Sequence, residues 1–340
     1  MKFDTGVLAP SLAAVPALAR QAEAIGFDGL WTSETQHNAF LPLVLAAEHT
    51  GRIELGTAIA VAFARNPMDV AYTAWDLAQF SHGRFILGLG TQVKPHIERR
   101  FSMPWGPAAP KLREFIQAVR HIWDVWQHGA RLNFRGEFYK HTLMSPFFNP
   151  GPIEYSRIPI YIAGVNEQLC QLAGELADGF HVHPYHSPSY LRERVIPWIE
   201  AGAAAAGRER AAVVLTTTVF VITGRDEVAL ERSRAAVRQQ IAFYASTPTY
   251  QSVMAHHGWL ETAERLSGLA ARQKWAEMPA LVTDEMLATF AVEAPPDRLA
   301  ATVEARYAGL IDRLAYYAEF IPDADEEFWR MTVAHFHSKQ

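Results

Sequence analysis

The sequence has little cysteine, no long apolar run and no block of like charge. Cys170 is the one cysteine among 340 residues, which excludes a disulfide within the chain and is typical of a reducing compartment. No stretch of about 18 apolar residues is present, so we expect no helical membrane span. The N-terminal segment has no charged start followed by a long apolar run, so we expect no signal peptide. These features together predict a cytoplasmic protein.

The charge balance and the composition narrow the class further. The net charge is −5 and the sequence pI is about 6.3, which does not favour a nucleic-acid partner. Hydrophobic residues make up 49% of the chain and charged residues 20%, as in a globular enzyme with a large core. We expect a small-molecule substrate and no nucleic-acid or membrane partner.

Short apolar runs alternate with longer segments of helical period. Eight such strand–helix units can be counted, from Phe3–Ala9 to a last strand in residues 310–317. This alternation indicates a parallel sheet with helical crossovers, and the length suits one α/β barrel. We predict a single (β/α)₈ TIM-barrel domain over residues 1–340, with a loop insertion at about 91–110 and a helical insertion at about 246–292.

Helix boundaries are marked by capping residues. Asn66 followed by Pro67 predicts one helix start, and Asn166 predicts another. We expect the helix that begins at Pro110 to bury a set of large apolar side chains, namely Leu112, Phe115, Ile116, Val119, Trp123 and Trp126.

Three segments occur in an order that resembles a known family. They are LGTAIAVAFARNP (55–67), GRFILGLGT (83–91) and IPIYIAGVN (158–166), and AEAIGFDGLWTSE (22–34) fits the same pattern. Together they resemble the luciferase-like flavin-dependent oxidoreductases over about the first 190 residues. The segment 88–105 is most similar to the branch that uses the deazaflavin coenzyme F420.

The resemblance implies an oxidoreductase with its cofactor at the C-terminal ends of the barrel strands. The implied cofactor is coenzyme F420, with FMN as the alternative, and a homodimer is expected at the level of the family. In the family a non-proline cis peptide at the position of Ala58 and Ile59 bulges behind the flavin ring. Without the resemblance, this segment is more typical of a plain buried strand. The cofactor residues implied on strands three and four are Ala58, Ile59, Ala60, Gly90, Thr91 and Gln92.

The turn into the fifth helix predicts an anion site. Free N–H groups and the helix dipole at a helix N-terminus favour a phosphate or phosphodiester. An ordinary N-cap at Asn166 is compatible with this role. The residues of this turn are Ala163, Gly164, Val165 and Asn166.

The turn after the second strand supplies candidate catalytic residues. In the family it contacts the cofactor, and relatives often carry Asp-His where this chain has Glu34 and Thr35. We therefore place Thr35 among the cofactor-binding residues, and Glu34 and His37 among the catalytic ones. A surface or helix-capping role is the alternative for each. Val93 stands where relatives that use sugar phosphates carry a glutamate, so that acid is missing here.

The histidines of HVHPYH (181–186) end the sixth strand. Two histidines at this spacing are compatible with a metal, but no carboxylate partner pattern accompanies them, and we predict no metal. We expect His183 to point into the barrel mouth as a third catalytic candidate. Aromatic residues expected to line the pocket are Phe40, Phe63, Trp105, Tyr185 and Trp259.

Several functions remain open at this point. An F420-dependent hydride transfer comes first, and an FMN monooxygenase that uses oxygen has the same fold and site. A barrel that has lost its chemistry fits Thr35 and Val93, and a metal hydrolase fits only the histidines. Lys94, Arg99 and Arg100 suit an anionic cofactor tail but equally a solvated loop, and Arg65 is predicted to form a structural ion pair.

Overall fold

Eight parallel strands close into a barrel in the computed structural model, which describes residues 1–7, 11–321 and 323–338. Each strand pairs with the next, and the last pairs with the first. This closure confirms the predicted (β/α)₈ fold. The strands are β1 (Lys2–Val7), β2 (Gly29–Thr32), β3 (Glu54–Thr57), β4 (Phe85–Gly90), β5 (Ile160–Gly164), β6 (Gly179–Val182), β7 (Val214–Ile222) and β8 (Arg313–Tyr316).

Helices cover the outside of the barrel and bury their apolar faces against it. They are α1 (Val15–Ile25), α2 (Leu41–His49), α3 (Pro67–Phe80), α4 (Ala108–His128), α5 (Glu167–Leu176), α6 (Ile196–Ala205), α7 (Glu227–Ala245), α8 (Pro296–Tyr307) and α9 (Glu326–His337). Between α7 and α8 the chain forms the shorter helices Gln251–His256, Leu260–Ala271 and Asp284–Phe290. Within the described ranges, no helix combines the length and apolar character needed to cross a bilayer.

The predicted caps form as expected. The side chain of Asn66 accepts a hydrogen bond from the Asp69 N–H, and Asn166 does the same for Leu169. Both therefore satisfy a free donor of the first helical turn. Helix α4 starts at Ala108, two residues before the predicted Pro110, because Pro107 already accepts from the Lys111 N–H. All six side chains predicted for the buried face of α4 are buried.

The structure departs from the predicted elements most clearly at three places. The first ends at Val7, and the predicted continuation through Leu8 and Ala9 lies outside the described residues. The third is split into β3 and a short strand, Ala60–Val61. In the segment predicted as a helical insertion, 246–292, helices run up to Phe290, and Ala291–Glu293 is a further parallel strand.

That further strand exists because β7 is longer than its neighbours. β7 pairs with β6 and β8 only up to Val219. Its last three residues, Phe220–Ile222, pair with Ala291–Glu293 instead. Backbone donors and acceptors that would otherwise form an open edge are thereby satisfied.

The barrel interior is filled by a few large side chains beside glycines. Trp31, Ile86 and Tyr161 form a buried cluster separate from the core under the helices. A Cβ at Gly56 would lie 2.2 Å from the Trp31 ring, and one at Gly179 would lie 2.6 Å from the Tyr161 ring. The glycines on the facing strands therefore provide the volume that these rings occupy.

A buried ion pair lies beneath this cluster. Arg313 Nε and Nη2 donate to the two Asp4 carboxylate oxygens at 2.7 and 2.9 Å, and Nη1 donates to Glu54 Oε2 at 2.7 Å. Trp31 Nε1 donates to Asp4 Oδ2 at 2.9 Å. Burial opposes the charge of Arg313, but the carboxylates of Asp4 and Glu54 outweigh it and raise the guanidinium pKa above its ordinary value.

We predict that Asp4→Asn lowers the free energy of unfolding by about 3–5 kcal/mol, because it leaves the Arg313 charge buried beside a neutral amide. Urea unfolding measures the change. Asp325→Asn is the matched control, since it breaks the exposed pair with Arg225 and should cost less than about 1 kcal/mol. Equal losses in the two variants would contradict a special role for the interior pair.

Candidate active site

A cavity of about 620 Å³ opens at the C-terminal ends of the barrel strands. Its wall receives residues from six of the eight strands, from the segments that follow β2, β3, β6 and β8, and from α7. The volume lies within the range of small-molecule and cofactor pockets. The position is the one at which barrel enzymes carry their active sites.

His181 lies on the floor of this cavity, at its contact with the interior cluster. Its ring stands edge-on to Trp31, with 5.0 Å between centroids. A Cβ at Gly88 would approach its Nε2 to 2.8 Å, so glycine at that position leaves room for the ring. Burial, with a further contribution from the Arg313 charge, lowers the His181 pKa to about 3. The floor is therefore neutral at physiological pH.

The segment after β3 forms one wall. The Ala58–Ile59 peptide is cis, as the resemblance implied, and both residues line the cavity. Ala60 is fully buried and does not line it. The Ala58 N–H donates to the Thr32 carbonyl at 2.7 Å, and the Glu34 N–H donates to the Ile59 carbonyl at 3.3 Å. The turn after β2 therefore holds this wall through its backbone.

Glu34 also holds the wall with its side chain. Its two carboxylate oxygens accept from Arg65 Nη1 and Nη2 at 2.6 Å each, and Oε2 accepts from the Val61 N–H at 2.7 Å. The Glu34 side chain is 8% exposed and does not line the cavity. Arg65 thus forms the predicted ion pair, and the Glu34 carboxylate is engaged in positioning the backbone around Val61.

The other two candidates of this turn, Thr35 and His37, differ in their position relative to the cavity. Thr35 lines the cavity, and its carbonyl accepts from the Arg100 guanidinium. His37 is exposed and lies outside the cavity lining. Lys94 and Arg99 are exposed as well, so Arg100 is the basic residue of this loop that contacts the cavity rim.

The end of β4 reaches the cavity only through Ile59. A Cβ at Gly90 would lie 2.6 Å from the Ile59 side chain. The glycine therefore leaves the space that the Ile59 side chain occupies. The Thr91 hydroxyl donates to the Gln92 carbonyl at 3.0 Å, and the Gln92 side chain accepts from the Val93 N–H at 3.0 Å. These side chains bond within the loop and do not line the cavity.

The turn from β5 into α5 brings its backbone to the cavity. Ala163, Gly164 and Val165 line it, and a Cβ at Gly164 would lie 2.4 Å from Leu169 Cβ. Asn166 is exposed and caps α5. Glu167 stands in the first turn of α5, so a carboxylate lies close to the N–H groups offered to an anion.

His183 lines the cavity and belongs to an aromatic wall. Its ring stacks on Tyr250 with 4.3 Å between centroids and meets the edge of Tyr244 at 4.7 Å. Its Nδ1 accepts from the Tyr185 N–H at 3.1 Å. Burial and the neighbouring His186 lower the His183 pKa to about 3, so this ring is also neutral at physiological pH.

Sequence reasoning missed the tyrosines of this wall. Tyr244 ends α7, Tyr317 follows β8, and their hydroxyls lie 2.8 Å apart. Both line the cavity. Neither belongs to a motif, and the only signal for Tyr317 was its place after a barrel strand.

The aromatic residues that were predicted to line the pocket are packed outside the cavity lining. Phe63 meets Trp105 edge-on, Trp259 stacks on His257, and Phe40 lies under the Arg65 guanidinium. None of these, nor Tyr185, lines the cavity. Core packing is the commoner role of aromatic side chains, and it prevails here.

The histidine cluster offers no metal geometry in the part of the chain that the structure describes. No group of three or more His, Cys, Asp or Glu residues there is arranged to hold an ion. His186 turns away from the cavity, with its Nδ1 2.8 Å from the His183 carbonyl.

The buried histidines predict a loss of stability in mild acid. The pKa values of His181 and His183 are lowered to about 3 and that of His186 to about 4, whereas the unfolded chain protonates near 6.5. The unfolded state therefore binds more protons between these values, and the free energy of unfolding falls as the pH drops below 6.5. Between pH 6 and 4.5 the free energy of unfolding, measured with urea, should fall less steeply in His186→Phe than in the wild type. The expected difference in slope is about 1.4 kcal/mol per pH unit.

The matched control is His37→Phe, whose side chain is exposed and whose removal should leave the slope unchanged. The slope rather than the stability itself is compared, because His186→Phe also removes a hydrogen bond. Identical slopes in the wild type and His186→Phe would show that the His186 ring protonates in the folded protein.

Comparison with known proteins places this chain in a family. The model of the luciferase-like monooxygenase family matches residues 2–313. An uncharacterised protein of Mycobacterium tuberculosis is 48% identical over 314 residues, 92% of each chain. The F420-dependent glucose-6-phosphate dehydrogenase of Amycolatopsis mediterranei is 25% identical over 330 residues, 90% of this chain and 88% of that one.

A solved structure shares the fold. The coenzyme F420-dependent tetrahydromethanopterin reductase of Methanopyrus kandleri superposes with a TM-score of 0.78 at 20% identity, over 98% of this chain and 96% of that one. The barrel, the cavity at its mouth and the family match agree with one another. The chain belongs to the luciferase-like monooxygenase family and is an oxidoreductase of that family.

Proposed function

We propose that this protein binds coenzyme F420 in the barrel mouth and transfers a hydride between the deazaflavin and a small organic substrate. The observation that carries the proposal is the 620 Å³ cavity with one wall of small residues. The relative named for F420 dependence, which matches 90% of this chain, supports the choice of the deazaflavin.

The residues present fit a flat ring system. Ala58 and Ile59 offer a backbone wall, and Ala163 and Gly164 offer a second one on β5. The small residues Ala58, Ala163 and Gly164 allow an aromatic plane to approach the backbone closely. We assign Ala58, Ile59, Ala163 and Gly164 to the ring, with Thr35 at its rim.

The anionic tail of the cofactor suits the exposed N-terminus of α5. Backbone N–H groups of this turn and the α5 dipole attract a phosphodiester, and Asn166 caps the same turn. Arg100, anchored on the Thr35 carbonyl, adds a positive charge at the rim.

When bound, the deazaflavin supplies the hydride-transferring C5 atom, and the chain supplies orientation and a dry environment. His181 and His183 remain neutral beneath and beside the ring, so they add no charge that would draw water into the cavity. Glu34 and Arg65 fix the backbone wall from outside. The protein residues thus position the reactants while the cofactor carries the chemistry.

FMN-dependent monooxygenation is the second candidate, favoured by the description of the matched family. FMN ends in a phosphate that carries close to two negative charges, whereas the F420 tail passes the same point as a phosphodiester with one. Glu167 in the first turn of α5 repels the doubly charged group more strongly. This carboxylate favours the deazaflavin.

We predict that the cofactor-free protein binds coenzyme F420 at least about tenfold more tightly than FMN, a difference of about 1.4 kcal/mol. Quenching of tryptophan fluorescence measures both dissociation constants, since Trp31 lines the cavity. Tighter binding of FMN would reverse the assignment in favour of the monooxygenase. Absence of binding by either compound would refute both.

We predict that Ala58→Leu weakens F420 binding by more than about tenfold, because the longer side chain occupies the space assigned to the ring. Ala204→Leu on the exposed face of α6 is the matched control and should bind normally. Thermal unfolding checks that both variants are folded. Normal F420 affinity in folded Ala58→Leu would remove this wall from the cofactor site.

A further inference from the structure

The aromatic wall carries a hydroxyl pair that faces the cavity. Tyr244 and Tyr317 come from different elements, α7 and the segment after β8, and both line the cavity. Their oxygens lie 2.8 Å apart. The Tyr244 ring is held by the edge of His183 at 4.7 Å and of Tyr250 at 5.8 Å. The position of this hydroxyl is therefore fixed by packing.

Counting donors shows that the pair has a proton to spare. Two hydroxyls hold two protons, and the bond between them uses one. Each hydroxyl bonds to the other, so one proton of the pair is left to donate to a ligand. Burial raises the Tyr244 pKa above its ordinary value, so the pair keeps both protons at physiological pH.

The charge of the cavity limits what this donor can bind. In the described part of the chain no lysine or arginine lines the cavity, and its two carboxylates are Asp4 and Glu319. Asp4 is neutralised by Arg313, whereas Glu319 is exposed at the mouth. An anionic substrate group would lose its hydration here without meeting a cation.

The hydroxyl pair also lies opposite the wall assigned to the ring. Three strands separate β3 from β7 in either direction around the barrel, so Ala58 and the β7–β8 side face one another across the mouth. A ring against Ala58 and Ile59 would leave its other face toward Tyr244 and Tyr317. The remaining space between them is where a substrate fits.

We propose that the Tyr244–Tyr317 hydroxyl pair binds a neutral oxygen of the substrate, a ketone, aldehyde or alcohol oxygen, and that the cavity selects uncharged substrates. This inference rests on the proposed function for the position of the ring. The spare hydroxyl proton donates to a carbonyl or hydroxyl oxygen, and the aromatic rings contact the apolar body of the molecule. A sugar phosphate, by contrast, finds no lysine or arginine among the described lining residues, since Arg100 lies at the rim and is assigned to the cofactor tail.

The test measures binding of cyclohexanone and of its anionic counterpart, cyclohexanecarboxylate, by ligand-observed NMR. Both are titrated into the full-length protein, free of cofactor and loaded with oxidised F420, so that no turnover occurs. The variants are Tyr244→Phe, Tyr317→Phe and the double variant, which keep the rings and remove only the hydroxyls. Tyr155→Phe, far from the cavity lining, is the matched control.

We expect the double variant to bind cyclohexanone about five- to tenfold more weakly than the wild type, the worth of one hydrogen bond. Each single variant should lose less than the double variant, because the remaining hydroxyl keeps a proton that can donate to the ketone. Tyr155→Phe should be unchanged, and cyclohexanecarboxylate should bind more weakly than the ketone in the wild type.

Unchanged ketone affinity in the double variant, or tighter binding of the carboxylate than of the ketone, would overturn the inference. The F420 dissociation constant is measured on the same samples and should be equal in all variants. Failure of the wild type to bind F420 would overturn the proposed function instead. The ketone affinities of the cofactor-free protein would still decide the role of the tyrosine pair.

Discussion

The buried pair of Asp4 and Arg313 is the interaction on which the rest of the barrel interior depends. A charge inside a barrel is stable only when a partner and further hydrogen bonds compensate its loss of hydration. Arg313 obtains them from Asp4 and Glu54, and Asp4 in turn accepts from the Trp31 indole. The Trp31 ring is thereby fixed across the barrel, and the glycine at position 56 leaves the volume that it fills. The barrel interior is therefore packed with side chains, and the cavity within the barrel lies at its C-terminal mouth.

The same pair shapes the electrostatics of the cavity above it. The positive charge of Arg313 is compensated below the floor, and what remains of its field helps to keep His181 neutral. His183, stacked on Tyr250, is neutral because of its burial. Both histidines that line the cavity are therefore uncharged at physiological pH, which suits the hydride transfer proposed for this site. The two histidines are thus neutral because of how they are packed, and not only because few charged residues line the cavity.

Local sequence patterns predicted the parts of the fold that depend on local forces. Asn66 and Asn166 cap their helices because a short amide side chain before a helix satisfies a free N–H wherever it occurs. The resemblance supplied the cis peptide at Ala58, and the strand order followed from the alternation of elements. The side chains of the site were harder to predict, because their partners lie far away along the chain. Glu34 was a catalytic candidate by position, yet Arg65, 31 residues later, engages its carboxylate. Tyr244 and Tyr317 are 73 residues apart and meet only when the barrel closes.

The two sides of the cavity are built from different kinds of structure. The side assigned to the cofactor consists of backbone and small side chains between β2 and β5, where a large residue would exclude the ring. The opposite side consists of aromatic side chains from α7, the 246–292 insertion and the segment after β8, with Tyr250 of the insertion packed on His183. Changes in those aromatic residues alter the shape and the hydrogen-bonding groups of the cavity without disturbing the backbone wall at Ala58. A barrel of this kind can therefore change its substrate while it keeps its cofactor, since the two are recognised by separate parts of the chain.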